Sequence, residues 1–163
     1  MNDDDLLHSE KITNQIERMK YTTEIDINKP IEKVIELFDN PDNMDQWMEG
    51  LLSFEPLSGT PGQPGAKSKL IFKMGKREIE MTETILTRNL PDEFTGTYEA
   101  KGVFNIVKNK FVQLTDKKTR YITEQEFQFK GFMKIIAFLM PGAFKKQSMK
   151  YLTDFKKFAE TQK

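Results

Sequence analysis

The acid–base chemistry open to this chain rests on three side chains, Glu83, Tyr98 and Tyr121. In the run from Arg77 to Thr87, Ile79, Met81, Glu83 and Ile85 share one side, and Glu78, Glu80, Thr82 and Thr84 share the other. Period-two alternation of this kind marks a strand with one face on the core. Glu83 is thus a carboxyl on an otherwise apolar face. Burying it unpaired costs several kcal/mol or raises its pKa, which would make it a proton donor or an acceptor for a hydroxyl. The competing reading is an ion pair with Lys69, Lys73 or Arg77, and the abundance of cations nearby makes that pair the expected outcome.

Two amides extend the polar set. In the run from Val103, the odd positions Val103, Asn105, Val107, Asn109 and Phe111 interleave amides with apolar groups, and buried amides must find hydrogen-bond partners. The opposite parity puts Phe104, Ile106 and Val112 inside and turns both asparagines to solvent; both readings stand. From Arg120 onward, Tyr121, Thr123, Gln125, Phe127 and Phe129 read as the inner set, with Glu124 and Glu126 outside.

Other chemistries find no support. The single histidine, His8, lies before the first convincing strand, which leaves no histidine base, triad or histidine metal site. With no cysteine there are no disulfides, thiolate ligands or cysteine nucleophiles, and a reducing, cytoplasmic setting is expected. The Gly59–Gly65 stretch lacks the Lys-Ser/Thr ending and following helix of a phosphate loop. No cofactor is expected.

At 163 residues the chain fits one domain, which buries roughly 70% of the surface its unfolded form exposes. Charge balances at 25 basic against 25 acidic residues, so no overall field would gather nucleic acid. The distribution is uneven: the last segment carries Lys134, Lys145, Lys146, Lys150, Lys156, Lys157 and Lys163 against Asp154 and Glu160. These lysines read as the solvated face of an amphipathic helix, with a surface for acidic partners as the sharper alternative. No apolar run reaches the roughly 20 residues of a membrane span, which leaves peripheral membrane contact open.

The elements that must position these groups follow in order. Residues 1–18 read as an N-terminal appendage, disordered or loosely docked, and 19–163 as one domain. Lys20 to Asn28 alternates as a strand, with Tyr21, Thr23, Ile25 and Ile27 on one face. Pro30 suits the first turn of a helix carrying Ile31, Val34, Ile35 and Phe38, and a second short helix after Asn40-Pro41 carries Met44, Trp47 and Met48. A strand at Leu52–Leu57 contains Pro56 and belongs at a sheet edge. Strands then follow near 67–74, 77–87, 93–101, 103–114 and 120–130, joined by turns too short for anything but antiparallel neighbours. Phe132–Phe144 is nearly all apolar and reads as a buried or lid-like helix, broken at Pro141-Gly142. From Ala143 onward Phe144, Ser148, Tyr151, Phe155 and Phe158 recur at helical spacing and face the sheet. The expected fold is therefore α+β: a seven-stranded antiparallel sheet wrapped around a long C-terminal helix, with two short helices after the first strand.

This order, with Ile27-Asn28-Lys29-Pro30-Ile31-Glu32-Lys33-Val34 opening the first helix, Asn40-Pro41 leading to Trp47, the Pro-Gly hairpin and Asn109-Lys110-Phe111, resembles the START/polyketide cyclase (SRPBCC, helix-grip) superfamily. Phe129-Lys130-Gly131 entering Met140-Pro141-Gly142-Ala143-Phe144-Lys145-Lys146-Gln147 carries the resemblance most specifically, and it covers Lys20 to about Glu160. It implies a cavity between sheet and helix. The lining expected here is Phe72, Met74, Met81, Glu83, Tyr98, Asn105, Asn109, Phe111, Tyr121, Phe127, Phe144 and Tyr151. The function expected is non-enzymatic binding of a hydrophobic small molecule or lipid, to which adaptable methionines are suited. An aromatase/cyclase-like enzyme acting through Glu83 and the asparagines is the alternative, although no catalytic residue carries over by motif.

Overall fold

The structure is a computed structural model, which describes residues 18–163; the appendage expected at 1–18 and His8 fall outside it, apart from Arg18. That residue already opens β1 (Arg18–Ile27), which is followed by α1 (Ile31–Phe38), a 3-10 turn at Pro41–Asn43 and α2 (Met44–Trp47). Six strands come next: β2 (Leu51–Ser58), β3 (Lys67–Met74), β4 (Arg77–Asn89), β5 (Glu93–Ala100), β6 (Val103–Thr115) and β7 (Lys118–Phe129). Helices α3 (Phe132–Leu139) and α4 (Pro141–Thr161) close the chain.

The strands form one seven-stranded sheet in the order β1-β7-β6-β5-β4-β3-β2, antiparallel throughout. β2 to β7 is the expected meander, and the first strand returns to flank the last. β2 stands at the edge, where the missing N–H of Pro56 costs no ladder bond. The helical entry to β2 turns at Gly50, whose φ is +86°. A Cβ there would lie 2.6 Å from the Lys73 carbonyl oxygen, so this close approach of two backbones requires glycine.

The two ends of the concave face are filled differently. At one end Ile27, Ile31, Val34, Leu37, Trp47, Phe111, Tyr121, Leu152, Phe155 and Phe158 form a single buried cluster. Phe38 joins it as a hub, with ring centroids 5.0 Å from Phe111, 5.7 Å from Tyr121 and 5.9 Å from Phe155. A bidentate Arg88–Asp39 pair ties the end of α1 to β4, and Thr119 Oγ1 donates to the Lys29 carbonyl at 2.9 Å. Toward the other end α4 packs chiefly along β1, reaching β7 through Phe144 and β3 through Tyr151. The helix crosses the sheet like a beam supported along one side.

The apolar segment before α4 does not behave as a buried helix. Ala137 is the only fully buried residue of α3, while Phe132, Ile135, Phe138 and Leu139 face outward. Apolar composition fixed the helix but not what covers it.

Candidate functional site

Cross-strand register assembles the site. Residues directly opposed on neighbouring antiparallel strands share a face, and four pairings run in line: Ser68 with Glu83, Glu83 with Tyr98, Tyr98 with Asn105, and Asn105 with Phe127. A polar row of Ser68, Glu83, Tyr98 and Asn105 therefore crosses the middle of the concave face, flanked by Leu70, Met81 and Ile85.

Its hydrogen bonds are specific. Tyr98 Oη donates to Glu83 Oε1 at 2.8 Å, and Asn105 Nδ2 donates to Gln125 Oε1 at 2.8 Å. Asn105 Oδ1 is buried without a partner among the described residues, and an unmet buried acceptor costs about 1–3 kcal/mol.

The expected ion pair of Glu83 does not form. Among the described residues no cation reaches it: Lys69 pairs with Glu55 at 2.9 Å, because odd-numbered residues of β3 point to the outer face. Lys73 stands opposite Glu78 on that outer face, and Arg77 stands opposite Met74 at the far end of the hairpin. Glu83 is only 7% exposed, and burial pushes its carboxyl above the ordinary 4.5, against the smaller lowering effect of the Tyr98 hydrogen bond. Burial, and secondarily the Glu83 charge, pushes the Tyr98 phenol well above 10, so the tyrosine stays a donor. A neutral Glu83 presents an O–H and a C=O to whatever faces it; an ionised one presents only acceptors.

The twelve expected lining residues divide into groups. Met81, Tyr98, Asn105 and Phe127 on the sheet, with Phe144 and Tyr151 on α4, all point inward yet remain partly accessible. These six side chains stand between the polar row and the helix. Phe72 is buried at their margin, against Tyr151. Asn109, Phe111 and Tyr121 lie instead in the packed end, where Tyr121 Oη donates to Asn109 Oδ1 at 2.8 Å and Asn109 Nδ2 donates to the Phe94 carbonyl at 3.2 Å. The odd parity of β6 is the one adopted, but only Asn105 joins the row. Met74 is a correction: it has the inward parity but ends β3, beyond the covered sheet, and is 49% exposed.

Sequence reading missed Ser68 and did not single out Gln125 as a site residue. Ser68 was signalled by the alternation Ser68, Leu70, Phe72, all now buried. Elsewhere, a depression of about 500 Å³ on the outer face is lined by Lys20, Thr22, Lys108, Glu124 and Glu126, but its charges are largely matched by Lys20–Glu126 and Lys108–Glu93 pairs. Among the described residues no group of three or more acidic or histidine side chains could hold a metal ion.

A sequence model of the family described as polyketide cyclase/dehydrase and lipid transport matches residues 18–160, and the chain belongs to that family. No curated protein sequence matches it. Among solved structures, the ZhuI aromatase/cyclase from Streptomyces sp. R1128 superposes with a TM-score of 0.76 at 11% identity, over 88% of this chain and 94% of that one. Norcoclaurine synthase from Thalictrum flavum gives 0.70 at 11% identity, over 90% and 96%. The protein Ara h 8.0201 gives 0.69 at 13% identity, over 89% and 99%. These likenesses establish the helix-grip fold expected from the sequence.

Proposed function

We propose that this protein binds a hydrophobic small molecule or lipid between the concave sheet face and α4, with the ligand's polar group held by Glu83, Tyr98 and Asn105. The observation that carries this reading is a buried carboxyl without a cation among the described residues, in a short polar row flanked by Leu70, Met81 and Ile85 and faced by the partly accessible Phe144 and Tyr151. An apolar wall with a few convergent polar groups is the usual composition of a small-molecule site. A ligand hydroxyl or amide N–H would satisfy Asn105 Oδ1, and a hydroxyl or carbonyl could pair with Glu83. Membership of a lipid transport and cyclase family supports the same class of ligand. Native mass spectrometry of the freshly purified protein tests it through a co-purified apolar mass that is lost on Met81→Trp, a substitution that fills the space.

The Tyr98–Glu83 pair favours a second reading, an aromatase/cyclase-like enzyme in which protonated Glu83 supplies a proton to a carbonyl or leaving hydroxyl. The similarity to an aromatase/cyclase supports it. Incubation with a poly-ketone substrate separates the two: an enzyme converts it and Glu83→Gln stops the conversion, whereas a binder returns it unchanged in both forms.

A further inference from the structure

The described residues expose ten large hydrophobic side chains, and five of them fall in one nine-residue stretch: Phe132 (69%), Ile135 (53%), Phe138 (63%), Leu139 (67%) and Met140 (57%). The other five, Leu52, Leu57, Met74, Leu86 and Leu114, belong to β2, β3, β4 and β6, so they do not extend this patch in sequence. Positions 132, 135, 138 and 139 are spaced i, i+3, i+6 and i+7, so α3 turns one continuous apolar face outward while Ala137 anchors the opposite side.

Along the chain on both sides of this face the charge has one sign. From Phe127 to Thr153 the sequence contains Lys130, Lys134, Lys145, Lys146 and Lys150 and not one carboxylate. Lys150 is engaged by Glu49 and Asp154, but Lys130, Lys145 and Lys146 are exposed and form no ion pair among the described residues. Lys101 lies on the β5–β6 turn, whose Gly102 packs against Met133 of α3. A partner that matches must offer an apolar interior beneath a negatively charged surface, which describes an anionic bilayer. With eight residues, α3 is about 12 Å long, so it can lie in the interface but not cross it.

We propose that α3, Met140 and the first turn of α4 dock the protein on membranes containing anionic phospholipid, with Phe132, Ile135, Phe138 and Leu139 inserted and Lys130, Lys145 and Lys146 against the headgroups. The docking stands apart from the ligand reading, since it uses no residue of the polar row.

The test is co-sedimentation of the full chain with vesicles of phosphatidylcholine alone or mixed with phosphatidylglycerol, at low and high salt. Binding is expected only to the mixed vesicles, and salt should weaken it. The exposed pair Lys145→Glu/Lys146→Glu should lower the partition coefficient by about tenfold or more, and Phe138→Ser/Leu139→Ser should abolish retention with the fold intact. A Phe138→Trp variant should show a blue-shifted emission component quenched by brominated lipid. Absence of wild-type binding, or equal retention of Phe138→Ser/Leu139→Ser, overturns the proposal. So does a concentration-dependent dimer that dissociates in Phe138→Ser/Leu139→Ser while vesicles bind nothing, because a second copy would then be the occupant.

Discussion

Tyr98 Oη donates a 2.8 Å hydrogen bond to Glu83 Oε1, and the two residues stand directly opposite each other on β5 and β4. No cation among the described residues pairs with Glu83, so burial is the largest influence on its carboxyl, opposed by the smaller effect of the Tyr98 hydrogen bond. The proton on Glu83 becomes a property that pH and single substitutions can move.

Because burial raises the Glu83 pKa above 4.5, the folded protein holds this proton more tightly than the unfolded chain. Its contribution to stability is complete below the unfolded value and is lost as pH rises through the folded midpoint. Glu83→Gln removes this dependence. The variant should gain on wild type as pH rises from 4 toward neutrality, by about 1.4 kcal/mol for each unit that separates the two midpoints. Denaturant titrations of both proteins across that window provide the check; a constant difference would place Glu83 in a solvated setting, and a variant that loses ground as pH rises would place it in an ion pair.

Tyr98→Phe tests the hydrogen bond separately. The hydroxyl lowers the Glu83 pKa against the larger effect of burial, so its removal should move the midpoint of the Glu83 carboxyl carbon further upward in an NMR titration. The expected loss of stability is about 1 kcal/mol. A downward shift would mean that another donor takes the place of the phenol.

Phe155 is fully buried among Phe38, Trp47 and Tyr121, with centroid distances of 5.9, 5.0 and 5.6 Å. Phe155→Ala should cost about 3–5 kcal/mol in denaturant unfolding. A loss under about 1 kcal/mol would contradict the packing of α4 on this end of the sheet.

Much of this arrangement was legible in residue spacing, and the limit was register. The two-residue turn Lys101-Gly102 pairs Ala100 with Val103, which by counting sets Tyr98 opposite Asn105. The β4–β5 pairing resists such counting. From Asn89 opposite Glu93, an unbroken ladder would set Glu83 against Glu99. The irregularity between Ile85 and Thr87 shifts the register by one and brings Tyr98 there instead. A bulge leaves no mark in apolar alternation, so the inward carboxyl could be read but its tyrosine partner could not. The outward placement of Lys69, by contrast, follows from the alternation of Ser68, Leu70 and Phe72 on the inner face of β3 and was legible without the register. Exposure of α3 was hidden, since apolar composition does not say which side of a helix is covered.

Filling the space should weaken ligand binding without unfolding the chain. Met81 faces inward one inward-facing position from Glu83 along β4 and is partly accessible, so Met81→Trp should reduce naphthol affinity by about tenfold or more. Fluorescence titration measures it, with the far-ultraviolet circular dichroism of the two proteins as the control; equal affinity in a folded variant would place the probe elsewhere.

The central claim is that the concave face around Glu83, Tyr98 and Asn105 receives an apolar molecule by its polar group. Amide chemical-shift mapping of the full chain with naphthol, an aromatic ring bearing one hydroxyl, tests it most directly. The expected result is a saturable set of shifts confined to residues around Met81–Ile85, Gly96–Tyr98, Asn105–Val107 and Gln125–Phe127, with Phe144 and Tyr151 on α4. Shifts confined to the outer-face depression around Lys20, Lys108 and Glu124, or to α3 alone, would contradict it.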